Sequence, residues 1–457
     1  MNVTNVTNAT KAIVRNKELT HSSFNLNKLP LRKNFTWTLV GNLVYAGCQW
    51  GMLVVLAKLG SQEMVGQFAL GLAITAPVIM FFNLQLRAVQ ATDARQEFLF
   101  GDYFGLRLIT ALFSILLIFG IVLAANYRLE TALVILIVGI AKVVEAISDV
   151  FYGLFQRGER MDFIAKSMII KGLISLSALG AFIYFTRNIL WGTIGLAIIW
   201  ALIFICYEIP KGALILKFGF QATKGTFHEK TNLMKIIKPR WVLKTLNKLA
   251  FLAFPMGLVM MLISVNSNIP RYFIEGYFGE SELGIFAAIA YLTFAGGQIV
   301  SALGQSASPR LSILFAGGNI QTFIGFLGKF IGLAALIGSV GVLSALLFGR
   351  EILTFFYRAE YAKRLDVLLI LMVAGGIGYI SSILGYGMTA ARHFMDQVPL
   401  FALVAGTSMI TCLLLIPTYG LIGAAISVLI AISIQLLGSA LITTYAILSC
   451  LKRNDRK

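Results

Sequence analysis

Apolar segments long enough to cross a lipid bilayer follow one another along almost the whole sequence. A spanning helix needs about 20 apolar residues, and the segments are too long and uniform for barrel strands. Only 13% of the 457 residues are charged and 58% are hydrophobic, so the chain cannot form the surface of a water-soluble protein. We therefore predict an all-α polytopic membrane protein with twelve transmembrane helices. They lie near 36–58, 65–86, 105–125, 131–155, 163–186, 189–208, 249–270, 283–305, 322–347, 366–388, 398–416 and 420–449.

Basic residues are distributed unevenly over the segments that connect these helices. If the helices alternate in direction, most of the 38 Lys and Arg residues lie on the side that also holds both termini. Basic residues concentrate on the cytoplasmic side of membrane proteins, so both termini are predicted to be cytoplasmic. The net charge of +18 then reflects orientation and attraction to anionic membrane lipids, and we expect no binding of nucleic acid.

An internal repeat divides the predicted helices into two sets of six. Leu59–Ala73 and Phe278–Leu292 each contain a glycine, a polar turn and then Gly-x-Phe-Ala, and Tyr152-Gly153 is echoed by Tyr386-Gly387. Two six-helix repeats of equal orientation are typical of transporters with a pathway between two lobes. We predict a cytoplasmic tail at 1–33, lobes at 34–208 and 249–449, a basic linker at 209–248 and a second tail at 450–457.

Three charged residues interrupt the fourth apolar segment. Lys142, Glu145 and Asp149 are spaced i, i+3 and i+7, which places them within about 60° on one helical face. Each charge at the bilayer centre costs roughly 2.5–3.5 kcal/mol. This face therefore predicts a hydrated cavity, in which Glu145 and Asp149 hold a coupling H⁺ or Na⁺ and Lys142 holds an anionic cargo. The alternative is a buried ion-pair network that only joins helices.

Other polar residues inside the predicted helices are also candidates for contact with cargo. Lys171 is a second cation in the N-terminal set, and two cations suit a phosphate or pyrophosphate group. A single Asn or Gln is more often explained by a hydrogen bond between helices, and Arg87 is as often a side chain that extends to the membrane surface as a ligand. The complete set of cargo candidates is Lys142, Lys171, Arg87, Asn42, Gln49, Trp50, Asn83, Gln85, Asn266, Asn268 and Arg271.

The sequence carries no signature of an enzyme. Neither a Walker A nor an HExxH motif occurs, and His21, His228 and His393 are dispersed along the chain. Catalysis usually requires a cluster of acid and base groups, and the charged helix is the one place where such groups gather. We predict a transporter without a metal or organic cofactor.

Two junctions between predicted helices resemble a known family. Residues 81–109 and 152–169 are similar to the bacterial polysaccharide flippases, which are the O-antigen and teichoic-acid export proteins of the MATE-like multidrug/oligosaccharidyl-lipid/polysaccharide superfamily. The most specific matches are Leu86-Arg87, Gln90-Ala91-Thr92-Asp93, Gln156-Arg157 and Glu159-Arg160-Met161-Asp162.

The resemblance implies a V-shaped fold of two lobes that works by alternating access in the bacterial cytoplasmic (inner) membrane. The cargo would be an undecaprenyl-diphosphate-linked oligosaccharide, which is moved to the outer leaflet for export as O-antigen, capsule, exopolysaccharide or teichoic acid. A cation gradient would drive transport, and glycosyltransferases and a polysaccharide polymerase would be partners. The first helix has no arginine, unlike that of lipid II flippases, which argues against a peptidoglycan precursor as cargo.

Two alternatives remain at the level of the sequence. The first is a multidrug cation antiporter of the same superfamily, against which Lys142 and Lys171 argue because such a cavity would be acidic or aromatic. The second is a membrane glycan polymerase, which would carry a large extracytoplasmic loop with Arg and His. The longest loop on that side, about 349–365, contains no His.

Overall fold

A computed structural model describes residues 29–93, 97–221, 237–391 and 396–454, and these residues are largely helical with no strand among them. We call residues 31–221 the N-terminal half and residues 243–454 the C-terminal half. Most of the predicted N-terminal tail, the centre of the linker and the last three residues lie outside the described residues. The helices are α1 (Leu31–Leu59), α2 (Gln62–Asn83), α3 (Leu86–Thr92), α4 (Phe100–Ala124), α5 (Leu129–Arg157), α6 (Met161–Thr186), α7 (Ile189–Ile203), α8 (Ile209–Gln221), α9 (Leu243–Ala316), α10 (Ile320–Phe356), α11 (Ala359–Ala362), α12 (Leu365–Ala390) and α13 (Gln397–Asn454).

Ten helical stretches in the described part of the chain are long and apolar enough to span a membrane, which confirms the predicted all-α membrane fold. Two of them, in α9 and α13, bend at Gly279 (φ 79°) and Gly420 (φ 58°). Glycine reaches positive φ without the clash that a Cβ would cause. Each bent helix has two arms that correspond to two predicted segments. A total of twelve requires each arm to be counted separately, and this number stays a prediction.

The sixth predicted segment continues past its expected end at Glu208. Helix α7 passes through a π-helical turn at Phe204–Glu208 directly into α8, so residues 209–221 of the predicted linker are helical. Proline is tolerated in the first turn of a helix, where Pro210 lies. Glu208 does not interrupt the helix because Lys171 compensates its charge, with Nζ 2.7 Å from Oε1.

The two repeated segments of the sequence contact each other in the structure. Helix α2 begins beside the second arm of α9, and both are so close that a Cβ on Gly66 would strike the backbone of Glu280. In the same way, a Cβ on Gly284 would strike the backbone of Gln62. The contact is reciprocal, as it is across a two-fold axis. The two glycines that the repeat brings into register are therefore required for the two halves to approach each other.

Two salt bridges in corresponding positions identify two further helices as counterparts. Glu63 in the first turn of α2 is bonded to Arg128, which precedes α5, with 2.7 Å between Oε1 and Nη1. Glu282 in the second arm of α9 is bonded to Arg364, which precedes α12, at 3.2 Å. Helices α5 and α12 are therefore counterparts, in agreement with the echo of Tyr152-Gly153 in Tyr386-Gly387.

Hydrogen bonds join the two halves at the end of the molecule that holds Gly60, which we call the Gly60 end. Arg358 donates to the carbonyl oxygens of Lys58 at 2.8 Å and of Gly60 at 3.0 Å. Gln62 donates to Glu360 at 2.6 Å. These bonds connect α1 and α2 to the residues around α11.

Along the middle of the molecule, α2 and the first arm of α9 stay in contact, and Tyr272 donates to the carbonyl of Ala73 at 2.5 Å. Towards the opposite end, the first half of α1 packs on α6, where Gly41 lies against Ala165. The apolar side chains of Phe35 and Leu43 are exposed on the other side of α1.

Candidate functional site

The charged face of α5 carries an ion pair at its centre. Lys142 Nζ lies 2.8 Å from Glu145 Oε2, and Tyr45 of α1 donates a hydrogen bond to the other oxygen of Glu145 at 2.5 Å. The Lys142 ammonium also lies 5.0 Å from the ring centroid of Trp200, whose aromatic face attracts the positive charge. The Glu145 carboxylate is therefore held by a second helix besides its own turn.

A second ion pair lies one turn further along α5. Arg87 Nη1 is 3.4 Å from Asp149 Oδ1, and Arg87 Nε donates to Gln156 at 3.1 Å. The guanidinium also lies 5.6 Å from the ring centroid of Tyr152. Arg87 belongs to the short helix α3, so the structure gives Asp149 a compensating cation that the spacing along α5 alone does not reveal.

Both ion pairs are partly exposed, and the Lys142–Glu145 pair lies on the side of α5 that approaches the other half. The side chains of Lys142 and Glu145 are 24% and 31% exposed. Tyr291, on the second arm of α9, is within electrostatic range of both. A ligand between the halves can therefore reach the Lys142–Glu145 pair.

Lys171 has different surroundings. Its Nζ lies 2.7 Å from Glu208 Oε1 and 2.8 Å from Ser148 Oγ, and both charged side chains are at most 2% exposed. Tyr152 and Ser167 donate to the same carboxylate oxygen of Glu208 at 2.9 and 2.5 Å. The group is a sealed polar network inside the N-terminal half. Contact between Lys171 and a cargo stays a prediction, and it would require this network to open.

Asn83 and Gln85 lie at a break between α2 and α3. Leu84 and Gln85 adopt left-handed conformations with φ of 50° and 49°, which leaves carbonyl groups at the end of α2 without helical partners. The buried Arg107 of α4 donates to the carbonyls of Phe82 at 3.2 Å and Asn83 at 2.9 Å, and to the Asn83 side chain. This break is what allows Arg87 to reach Asp149.

Three candidates on α1 have different positions. Asn42 is exposed, and Gln49 has a buried Nε2 without a hydrogen-bond partner in the described part of the chain. Trp50 donates to Tyr357 at 3.1 Å, and its ring lies 4.5 Å from that of Phe356. Trp50 therefore closes the space between the halves below the Gly60 end.

The cargo candidates on α9 lie in two different surroundings. Asn268 is buried, donates to the carbonyl of Ser264 at 2.8 Å and accepts from Arg271 at 3.0 Å. Asn266 donates to the carbonyl of Phe401 at 3.1 Å and lines a cavity inside the C-terminal half.

The site residues that the sequence analysis does not predict are Glu208, Tyr45 and the residues across this cavity. The one available signal is Glu208, a carboxylate in an apolar segment.

The fold of two similar halves is that of the MATE-like membrane transporters. The structure resembles the lipid II flippase MurJ in an inward closed conformation with a TM-score of 0.68, at 13% identity over 91% of this chain and 90% of that chain. It also resembles a mutant form of the Vibrio cholerae MATE transporter VcmN with a TM-score of 0.63, at 14% identity over 94% and 98% of the two chains. At these identities the likeness shows the fold alone.

Residues 31–315, more than half of the chain, match the polysaccharide biosynthesis protein family. The chain therefore belongs to this family, as the resemblance at its helix junctions predicted. A relative is the capsular polysaccharide biosynthesis protein CapF of Staphylococcus aureus, which is 28% identical over 407 residues, 87% of this chain and 96% of CapF.

Proposed function

We propose that the protein is a flippase that moves undecaprenyl-diphosphate-linked oligosaccharides from the inner to the outer leaflet of the bacterial cytoplasmic membrane. Membership in the polysaccharide biosynthesis family and the likeness to CapF support polysaccharide export as the process. The observation that carries the proposal is Lys142, an accessible cation in the membrane interior on the face between the halves. A lysine ammonium binds phosphate groups as a compact point charge.

The ion pair of Lys142 with Glu145 explains how cargo and a cation bind together. A diphosphate that binds Lys142 replaces Glu145 as its partner and leaves this carboxylate with less compensating charge. An uncompensated carboxylate in a partly buried site favours a proton or a bound cation. Cargo binding then raises the affinity of Glu145 for H⁺ or Na⁺. The Arg87–Asp149 pair provides a second carboxylate one turn away for the same purpose.

The arrangement of the two ends fits alternating access. With cytoplasmic termini, the Gly60 end faces outwards, and the bonds of Arg358 and Gln62 keep it closed. Cargo enters between the halves from the cytoplasmic side, and these bonds break when the Gly60 end opens. The reaction is translocation without covalent chemistry. Glycosyltransferases supply the cargo, and a polymerase consumes it on the outer side.

Replacement of Lys142 tests the proposal. We expect Lys142→Ala to lower export of surface polysaccharide about 10- to 100-fold, because the charge-assisted bond to the diphosphate is worth roughly 1.5–3 kcal/mol. Lipid-linked oligosaccharide should accumulate in the inner leaflet, where it is measured by extraction and mass spectrometry. Lys142→Arg should retain part of the activity. Lys166→Ala is the matched control, since Lys166 is an exposed lysine on α6 near Asp162.

Two outcomes would contradict the proposal. One is wild-type export by a protein that carries both Lys142→Ala and Asp149→Asn, because the charged face would then be dispensable. The other is a deletion strain that has normal surface polysaccharide and altered drug susceptibility, which would indicate a multidrug antiporter.

A further inference from the structure

The C-terminal half contains a cavity of about 440 Å³ that the proposed function has not yet used. It lies among the first arm of α9, α12 and both arms of α13. The described residues that line it are all uncharged, and many of them carry hydroxyl or amide groups. The polar residues that matter most are Asn266, Ser381, Ser382, Tyr386, Ser408 and Gln435.

The repeat makes this cavity the counterpart of the sealed network in the N-terminal half. Tyr386 of α12 corresponds to Tyr152 of α5, and the helices around each tyrosine correspond as well. Around Tyr152, the space is filled by the Lys171–Glu208 pair and its hydrogen bonds. Around Tyr386, the same place in the fold is an open cavity with an uncharged lining. The two halves therefore carry different chemistry at corresponding places in the fold.

Two polar atoms in the cavity wall lack partners among the described residues. They are Oγ of Ser381, a residue that is only 1% exposed, and Oδ1 of Asn266. A buried polar group without a hydrogen bond destabilises a folded protein, and most such groups in native proteins are satisfied. Ser381 and Asn266 lie on different helices, α12 and α9. Both atoms are buried behind the cavity surface, and a ligand that both donates and accepts hydrogen bonds would pair with them once their side chains turn into the cavity.

The lining narrows the chemical class of this ligand. A phosphate is disfavoured because no cation is found among the described residues that line the cavity, and the hydroxyl and amide groups of the wall offer hydrogen bonds that a lipid chain cannot make. The volume is within the range of about 300–1,000 Å³ that small-molecule sites occupy, and it greatly exceeds that of a single ion. Tyr386 and Phe401 add aromatic surface, on which the C–H face of a sugar ring can pack. A sugar combines uncharged hydroxyl groups with such a face.

We infer that this cavity is a carbohydrate-binding site, which holds an uncharged sugar of the oligosaccharide while the charged face of α5 holds the diphosphate. The inference rests on the proposed function. Ser381 and Asn266 bond to hydroxyl or acetamido groups of the sugar, and Ser267, which is exposed at the edge of the cavity, lies on the route of entry. The C-terminal half thereby selects the glycan, whereas the N-terminal half binds the part that all such cargoes share.

Cysteine protection tests whether the glycan occupies the cavity. The four free native cysteines are replaced, and Ser382, a half-buried residue of the lining, becomes the single reporter in Ser382→Cys. Its rate of reaction with N-ethylmaleimide is measured in membranes of two strains, one that makes the lipid-linked glycan and one that lacks the glycosyltransferase for its first sugar. We expect the reaction to be several-fold slower in the first strain.

Ser281→Cys, at the Gly60 end, is the control for a change in conformation, because Ser281 is bonded to Gln62 across the two halves. Equal rates for Ser382→Cys in both strains would overturn the inference. An equal change at Ser281→Cys would overturn it too, since the halves would then have moved without occupation of the cavity. If Na⁺ alone slows the reaction of Ser382→Cys in the strain without glycolipid, the cavity is an ion site instead.

A substitution separates binding from folding. Ser381→Ala removes an unpartnered hydroxyl, so the protein should be at least as stable as the wild type, while export falls about tenfold through the loss of one hydrogen bond to the sugar. Ser427→Ala is the control, because this buried serine of α13 bonds to Gly423 of its own helix. Normal export by Ser381→Ala would contradict the inference. If deletion of the protein leaves surface polysaccharide unchanged, the proposed function itself fails.

Discussion

The two lysines inside the N-terminal half differ in their access to water. Lys142 forms an ion pair and is also exposed to the space between the halves. Lys171 is surrounded by a carboxylate, a serine and a tyrosine and is only 1% exposed. A transport ligand can compete for the first lysine at little cost. Access to the second requires the removal of a buried ion pair, which leaves Glu208 without its charge partner.

Glu208→Gln tests the structural role of the sealed network. The substitution leaves the Lys171 ammonium without a counter-charge in a buried site, so we expect a loss of about 3–5 kcal/mol of stability. The unfolding temperature of the purified protein in detergent should fall accordingly. Lys171→Met combined with Glu208→Gln should recover most of the loss, because no unpaired charge remains. A double variant as unstable as the sum of the two single variants would contradict this account.

The charged face could be predicted from the sequence because it depends only on the period of a helix. Its partners could not be predicted in the same way. Tyr45 is 100 residues away from Glu145, and the pairing of Arg87 with Asp149 depends on a break between two helices. Such contacts are set by tertiary packing. Ser381 is missed for a different reason, since a serine in an apolar helix usually bonds to its own backbone.

At the scale of elements, the molecule depends on close contact between α2 and the second arm of α9. We expect Gly66→Ala to destabilise the protein by about 1–3 kcal/mol, the usual cost of overpacking, because its methyl group would meet the backbone of Glu280. Gly284→Ala should act in the same way through Gln62. The measurement is thermal unfolding of the purified variants.

Gly276→Ala is the matched control for this contact. Gly276 is also a helical glycine of α9, but a Cβ at this position would meet nothing within 4 Å. This variant should be neutral or more stable by about 0.5–1 kcal/mol, because alanine is the better helix former. Equal effects at Gly66 and Gly276 would show that the close contact has no energetic importance.

Element positions are predicted well from apolar periodicity, and errors occur where polar residues inside a helix find partners. Glu208 and Pro210 suggest an end that the structure does not have, because Lys171 neutralises the carboxylate and a π-helical turn precedes the proline. The divisions that the sequence places inside α9 and α13 coincide with the breaks in helical backbone at Gly279 and Gly420. Glu208 is visible in the sequence, but its consequence depends on a neighbouring helix.

At the scale of the whole molecule, the proposed function requires the Gly60 end to open during transport. A short bismaleimide that joins Gln62→Cys of the N-terminal half to Glu360→Cys of the C-terminal half should stop export, since these side chains are 2.6 Å apart across the halves. Surface polysaccharide is measured before and after cross-linking in a protein without its native cysteines. The inactive protein should still bind lipid-linked glycan from the cytoplasmic side.

The control for this cross-link lies at the same end within one half. Glu63→Cys and Arg128→Cys replace an ion pair of similar length, 2.7 Å, whose partners both belong to the N-terminal half. The same reagent should leave export unchanged there. If the link between the halves also leaves export unchanged, the Gly60 end does not open during transport.

The reciprocal contact of Gly66 and Gly284 has a consequence for the origin of the chain. Two identical subunits that met in this way would change in pairs, because every mutation would appear on both sides of the axis. A fused chain is free of this restriction, and each side can accept its own substitutions. That freedom allows an ion-pair network inside one half and an uncharged cavity at the corresponding place in the other. On the proposed function, the cargo has an acidic head and a neutral tail of sugars, and an unequal pair of halves can hold these two unlike ends in one defined direction.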